Sequence, residues 1–244
     1  MTKYKFIQSI KQLLGKTYLA AVVFLCLQCI ILSSQNKNEI KVLFQPVFAS
    51  IPLTLDSTYL LDSKKIKFST FKFYISNIQI LNNEKIVFNE SNSFHLFDAS
   101  DIKSQSFTFQ VPKGMSFTNL KFNFGIDSLT NLSGAMGGDL DPTKGMYWTW
   151  QSGYINFKIE GTSDACINKR KEFQYHLGGY QFPFSALQKI SLDIKSKNTL
   201  FILVDVKKIV ETFNLSSLDH IMSPSAEAVR LSNLISQCFS VNEK

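Results

Sequence analysis

The sequence lacks the short motifs that mark the common enzyme classes. It contains no Gly-x-Ser-x-Gly, no His-Glu-x-x-His, no Walker loop and no dinucleotide-binding fingerprint, and the Gly137-Gly138 pair is not followed by Lys-Ser or Lys-Thr. Each of those motifs builds a specific catalytic or phosphate-binding geometry. We therefore expect a binding or structural protein and not an enzyme.

Residues 40 to 244 also lack internal repeats, heptads, low-complexity tracts and linkers rich in Pro, Gly or Ser. The balance of 45% hydrophobic and 18% charged residues is that of a folded globular protein. About 205 residues is within the range of one β-rich domain. The sequence thus predicts a single domain over residues 35–244.

Acidic residues are missing from the first 34 positions, where the basic residues Lys3, Lys5, Lys11 and Lys16 occur. An apolar run, residues 17–34, follows this basic stretch. That order is typical of an export signal, and the run is also near the minimum length of a membrane anchor. We predict that residues 1–34 are a signal peptide or N-terminal anchor and the only contact with a membrane. The remainder is expected in the periplasm or at the cell surface.

Basic charge is scarce once this segment is removed. Residues 35–244 hold 22 basic and 19 acidic residues, so the net charge falls from +7 to +3. A nucleic-acid-binding protein is expected to carry its basic excess as a patch on the folded domain. We therefore expect no nucleic-acid partner.

Cysteine is scarce as well, since the predicted exported part contains only Cys166 and Cys238. In an oxidising compartment two cysteines allow one intrachain pairing, and we predict a disulfide between them. The alternative is a thiolate metal site. It is less favoured because neither cysteine has a close Cys or His neighbour in the sequence.

Alternation of apolar and polar residues dominates the exported part and indicates half-buried strands. It is clearest over residues 41–48, 65–75, 106–111 and 120–124. Short turn signals separate the strands, which favours an all-β fold, an antiparallel β-sandwich, over a parallel α/β sheet. The segment from Ser225 to Cys238 has helical spacing instead and follows Pro224. It predicts a short C-terminal helix docked on the sandwich.

The most unusual stretch, residues 131–161, contains both tryptophans of the protein, Trp148 and Trp150. Two aromatic residues at alternate positions of an extended chain lie on one face of it. Such a pair can cap the open end of a sandwich core, as large apolar side chains commonly do. It can also line a binding site, and the composition alone favours the cap.

The run Gly145-Met-Tyr-Trp-Thr-Trp-Gln-Ser-Gly-Tyr154, followed by Phe157-Lys-Ile-Glu-Gly161, resembles the MbnP-like proteins. These are exported relatives of methanobactin-associated and copper-repressible surface proteins. The resemblance implies an all-β periplasmic or surface protein that binds copper through histidines and a tryptophan oxidised to kynurenine. It also implies a dihaem cytochrome c peroxidase-like partner that performs this oxidation, with Trp148 or Trp150 as the modified residue.

Copper suits imidazole and thioether ligands, and three histidines are available: His95, His176 and His220. His220 and Met222 would face the same way in an extended chain, so we predict a copper site from His176, His220 and Met222 or Met146. No histidine lies between Trp148 and His176, which departs from copper-binding relatives that have one close to the modified tryptophan.

Two further interpretations remain open. Asp127, Asp139 and Asp141 could form a calcium-binding loop, although a solvated turn explains them equally well and their spacing is not that of an EF-hand. Alternatively, the exported protein binds no metal and is a structural or recognition β-sandwich of the cell envelope.

Overall fold

The structure, a computed structural model, describes residues 37–195 and 197–242, except for the side chain of Ser91. The predicted signal peptide or anchor, residues 1–34, lies outside the described residues. Within them, residues 40–109 and 116–242 belong to one compact unit, which contains the contacts discussed below, and residues 37–39 and 110–115 belong to another. No helix in the described part is long and apolar enough to cross a membrane.

Strands make up most of the fold. They are β1 (Lys37–Phe48), β2 (Ile51–Pro52), β3 (Thr58–Leu61), β4 (Lys64–Asn82), β5 (Lys85–Asp98), β6 (Ser106–Pro112), β7 (Asn119–Phe124), β8 (Tyr147–Trp148), β9 (Gly153–Ser163), β10 (Glu172–Gly178), β11 (Gln188–Asp193), β12 (Thr199–Asp205), β13 (His220–Ile221) and β14 (Phe239–Val241). The α-helices are α1 (Ser128–Leu132), α2 (Val206–Glu211) and α3 (Ala226–Ser236). Short 3-10 helices occupy Ile102–Gln105, Gly138–Leu140 and Pro142–Lys144.

The strands form two packed sheets. The first has the order β14-β12-β1-β2 and the second the order β11-β7-β4-β9-β10-β13, with β3 and β5 also paired to β4, and β8 to β9. Phe44 of β1 reaches across the interface, and its ring lies 5.6 Å from that of Phe73 on β4 and 6.0 Å from that of Phe122 on β7. Edge-to-face contacts of this kind add to the apolar burial that holds the sandwich together.

The sandwich prediction is confirmed, but its strands are not all antiparallel. β1 runs parallel to β12, and β10 runs parallel to β13. Short turn signals report only on strands that follow each other along the chain. The β1–β12 pair joins segments about 160 residues apart, whose direction no turn determines.

The predicted C-terminal helix is confirmed as α3. Its N-cap is Ser225, whose hydroxyl accepts a hydrogen bond from the Ala228 N–H. The helix buries Ala228, Leu231 and Ile235 and packs on β10 and β11. It therefore packs on the strand that carries His176.

The predicted disulfide is absent: Cys166 and Cys238 are both free and buried. Cys166 lies in the loop between β9 and β10, whereas Cys238 follows α3 and its backbone carbonyl bonds to the Asp205 N–H beside β12. The two thiols have different charged neighbours, Asp219 and Lys171 at Cys166 and Asp205 and Lys208 at Cys238. Their number and the expected oxidising compartment suggested the pairing, and the structure does not form it.

We expect both thiols to be unreactive until the protein unfolds. Burial raises the pKa of each thiol to about 11, so the reactive thiolate is rare near neutral pH. Alkylation followed by peptide mass spectrometry should label Cys166 and Cys238 only in denaturant, without prior reduction. Peptides that become labelled only after reduction would show that the predicted disulfide does form.

Candidate functional site

The segment between β7 and β9 folds over the outer face of the second sheet. Phe73 points into the sandwich, so its neighbour Tyr74 points outwards. There Tyr74 belongs to a separate apolar cluster, here called the outer cluster. Its buried members are Tyr74, Leu96, Ile126, Leu140, Met146, Trp148, Tyr154 and Ile155. The aromatic motif recognised in the sequence therefore builds a second small core and not the cap of the main one.

Polar contacts fix this segment to the sheet. Lys72 and Lys158 each donate a hydrogen bond from Nζ, to the carbonyls of Lys144 and Gly145 respectively, both at 3.3 Å. Asp139 accepts from the Leu96 N–H at 3.0 Å and forms an ion pair with Lys144. These contacts hold residues 139–146 in register over β4 and β9.

The two tryptophans lie in very different environments. Trp148 is buried, and its ring lies 6.0 Å from that of Trp150, which is 65% exposed in the turn between β8 and β9. The alternation predicted a shared face of an extended chain, but β8 ends at Trp148 and the adjacent ring of Trp150 lies in a turn. Trp148 is the inner member of the pair and Trp150 the outer one.

Trp148 lies directly on the backbone of β10. A Cβ atom at Gly178 would come within 2.7 Å of Cζ3 of the indole, so only glycine allows this approach. The indole N–H of Trp148 is buried and has no hydrogen-bond partner among the described residues. Burying such a donor without a partner is costly, so this atom requires a physical explanation.

His176 lies on the same face of β10 as Trp148. It precedes Gly178 by two residues, and the irregularity in the β9–β10 pairing places its extra residue on β9, so alternation along β10 is kept. The imidazole is buried, and its Nε2 lies 2.6 Å from Oε1 of Glu160. This hydrogen bond lowers the pKa of the Glu160 carboxyl to about 2.

His220 joins the same face from the neighbouring strand. It pairs with Gln174 of β10, two residues before His176, and its Nδ1 lies 2.5 Å from Asp219. Burial alternates over the next residues, since Ile221 is buried and Met222 is 45% exposed. This is the pattern of an extended segment, with His220 and Met222 on the outer side.

Other predicted ligands lie elsewhere or have structural roles. Met146 is fully buried in the outer cluster. His95 pairs with Ile75 on the inward face of β4, stacks on Phe107 at 4.1 Å and contacts Glu90. A cavity of about 660 Å³ over β1, β12 and β14 contains none of the predicted copper ligands.

The structure does not bring Asp127, Asp139 and Asp141 together as a calcium site. Asp127 caps α1 by accepting from the Thr130 N–H, and Asp141 caps the 3-10 helix at residues 142–144 by accepting from the Thr143 N–H. Asp139 is paired with Lys144. In the part of the chain that the structure describes, no three His, Cys, Asp or Glu side chains cluster as a metal site.

Glu160 is the site residue that the sequence analysis missed. It lies within the quoted motif, but only the β9–β10 register reveals that it meets His176. Its second oxygen accepts a hydrogen bond from the Thr70 hydroxyl at 2.9 Å. Pairing across three strands is not visible in a linear sequence.

Fold and site together define an all-β sandwich that carries histidines and a buried tryptophan on the outer face of one sheet. The family model described as MbnP matches residues 37–223, and the chain belongs to the MbnP family. The solved structure of MbnP from Methylosinus trichosporium has the same fold, with a TM-score of 0.54 and 14% sequence identity. The match covers 78% of this chain and 82% of that one. No curated protein sequence matches the chain.

Proposed function

We propose that this protein is an exported copper-binding protein whose site combines His176, His220 and Met222 with an oxidised Trp148. The observation that carries the proposal is the buried, unpartnered N–H of Trp148 on the face of β10 that also presents His176. We assign no catalytic reaction to the protein itself. The predicted export segment supports placement outside the cytoplasm.

The chemistry of these side chains fits copper. Imidazole is a ligand for both oxidation states, and thioether favours the reduced one, so copper bound here would supply a reversible one-electron couple. His176 and His220 occupy adjacent strands on one face. Met146 stays in the outer cluster as a packing residue beneath the site.

Conversion of Trp148 to kynurenine would turn its unpartnered donor into part of the ligand set. Oxidation by two equivalents of hydrogen peroxide breaks the C2–C3 bond of the indole and releases two waters, and hydrolysis of the resulting N-formyl group then releases C2 as formate. The products are an aryl amine and a ketone, both with lone pairs that the indole lacks. We assign the oxidation to a dihaem cytochrome c peroxidase-like partner, on the family resemblance.

Trp148, and not Trp150, is our choice for the modified residue. Trp150 is 65% exposed in a turn, whereas Trp148 lies against β10 at Gly178. A ligand formed from Trp148 would be held rigidly beside His176. Rigid placement by packing is what a metal ligand requires.

Mass spectrometry of the protein from its own cells tests this proposal. In the tryptic peptide from Gly145 to Lys158, we expect a mass change that replaces one carbon by one oxygen, and fragment ions should place it at Trp148. Copper should accompany the modified protein on purification. Unmodified tryptophans under both copper-limited and copper-replete growth would contradict the proposal and favour a structural or recognition protein of the cell envelope.

A further inference from the structure

On the outer face of the second sheet, hydrogen bonds link three side chains in a row, and the last of them is His176. Thr70 of β4, Glu160 of β9 and His176 of β10 lie on three adjacent strands, and Thr70 pairs directly with Glu160. The Thr70 hydroxyl donates to Oε2 of Glu160 at 2.9 Å, and His176 Nε2 lies 2.6 Å from Oε1. Each carboxylate oxygen therefore has its own donor.

This arrangement fixes which ring nitrogen of His176 carries the proton. An ionised carboxylate can only accept hydrogen bonds, so Nε2 must be the donor. The contact with Glu160 is the only hydrogen bond that the described residues make with this imidazole. In the neutral ring, Nδ1 then carries the free lone pair.

We propose that Glu160 is a positioning residue that holds His176 in the Nε2–H form, so that His176 binds its ligand through Nδ1. The choice of copper as ligand depends on the function proposed above, whereas the protonation of the ring does not. Metal-binding histidines are commonly oriented by a carboxylate on their second nitrogen. Here the carboxylate is itself fixed by Thr70.

Burial of His176 favours the Nε2–H form of its ring over the Nδ1–H form. His176 is 6% exposed, so little water can reach the ring if it turns away from Glu160. Rotation would remove a charge-assisted hydrogen bond and leave that oxygen of Glu160 facing only the Lys158 ammonium, at 3.5 Å. By contrast, His220 has a side chain that is 43% exposed, and its Nδ1 contacts Asp219, which leaves Nε2 as its ligand atom.

Nitrogen NMR of the metal-free full chain, labelled with ¹⁵N in the histidine rings, tests the proposal at mildly alkaline pH. Signals are assigned with single His→Asn variants. We expect His176 to show a protonated Nε2 and an unprotonated Nδ1. An Nδ1–H form, or protons on both nitrogens at that pH, would overturn the proposal.

Two variants separate positioning from general structure. Glu160→Gln offers an amide that can donate as well as accept, so we expect the His176 signals to move to a mixture of both forms. The matched control is Glu90→Gln, which alters the partner of His95 and should leave the His176 signals in place. Unchanged His176 signals in Glu160→Gln would overturn the role of Glu160.

Titration with Cu(I), which leaves NMR signals visible, completes the test on protein isolated with its tryptophan modification. We expect the Nδ1 signal of His176 to shift while the Nε2 proton is retained. A shift at Nε2 with loss of its proton would overturn the proposal. If copper does not bind but the Nε2–H form is present, the proposed function fails and the positioning role of Glu160 stands.

Discussion

Replacing Gly161 with alanine is expected to destabilise the protein severely. Gly161 lies in β9 between Phe68 of β4 and Phe173 of β10. A Cβ atom there would lie 1.9 Å from the backbone carbonyl oxygen of Lys67 and 2.8 Å from the Phe173 ring. Because a backbone carbonyl in a central strand pair cannot turn aside, the strands must separate. We expect a loss of roughly 3 kcal/mol or more in unfolding free energy.

Denaturant unfolding followed by circular dichroism measures this loss. For a domain of this size it corresponds to a fall in melting temperature of about 10 °C. Gly137→Ala is the matched control, because its φ is −92° and nothing lies within 4 Å of the added atom. A Gly161→Ala protein within about 0.5 kcal/mol of the unchanged one would mean that β4 and β9 pair differently.

The elements of the sandwich could be predicted because their signals are local. Alternation over residues 65–75 falls inside β4, and the helical spacing after Pro224 matches α3. Each of these patterns spans a single segment and reflects which side of that segment is buried. The two parallel strand pairs could not be predicted, since each joins segments that are distant in the chain.

The candidate site was only partly visible in the sequence. The tryptophan motif was found because it is contiguous, and the family match supports that reading. The contact between Glu160 and His176 depends on how β9 pairs with β10, which no local pattern fixes. The need for glycine at position 178 could not be predicted either, because it arises only from the packing of Trp148 on that strand.

Two of the aspartates in the predicted calcium loop carry a local sequence signal for helix capping, which the calcium interpretation read as metal binding. Asp141 precedes Pro142 and Thr143, and Asp127 is followed three residues later by Thr130. Acids at these positions are typical helix N-caps, which accept hydrogen bonds from backbone N–H groups of the first turn. Both residues do so here, so their carboxylates stabilise short helices and are not free for a metal.

Replacing His176 with asparagine is expected to weaken copper binding by roughly 100-fold or more, because losing only the hydrogen-bond partner of a metal ligand already costs about 10- to 100-fold. His176 is the buried imidazole of the proposed site, and an amide is a much poorer ligand for copper. The change should be measured by competition with a chromophoric Cu(I) chelator, on protein produced with its oxidising partner. Mass spectrometry of the peptide from Gly145 to Lys158 must first establish that Trp148 is modified to the same extent in both proteins.

His95→Asn is the matched control for this experiment. Like His176, His95 contacts a glutamate, but it is only partly buried and lies on the inward face of the sheet, stacked on Phe107, away from Trp148. Copper affinity should therefore be unchanged in that variant. His220→Asn should cause a smaller loss than His176→Asn, because water can replace an exposed ligand more readily than a buried one. Equal affinity in all three variants and the unchanged protein would exclude the outer face of β10 as the copper site.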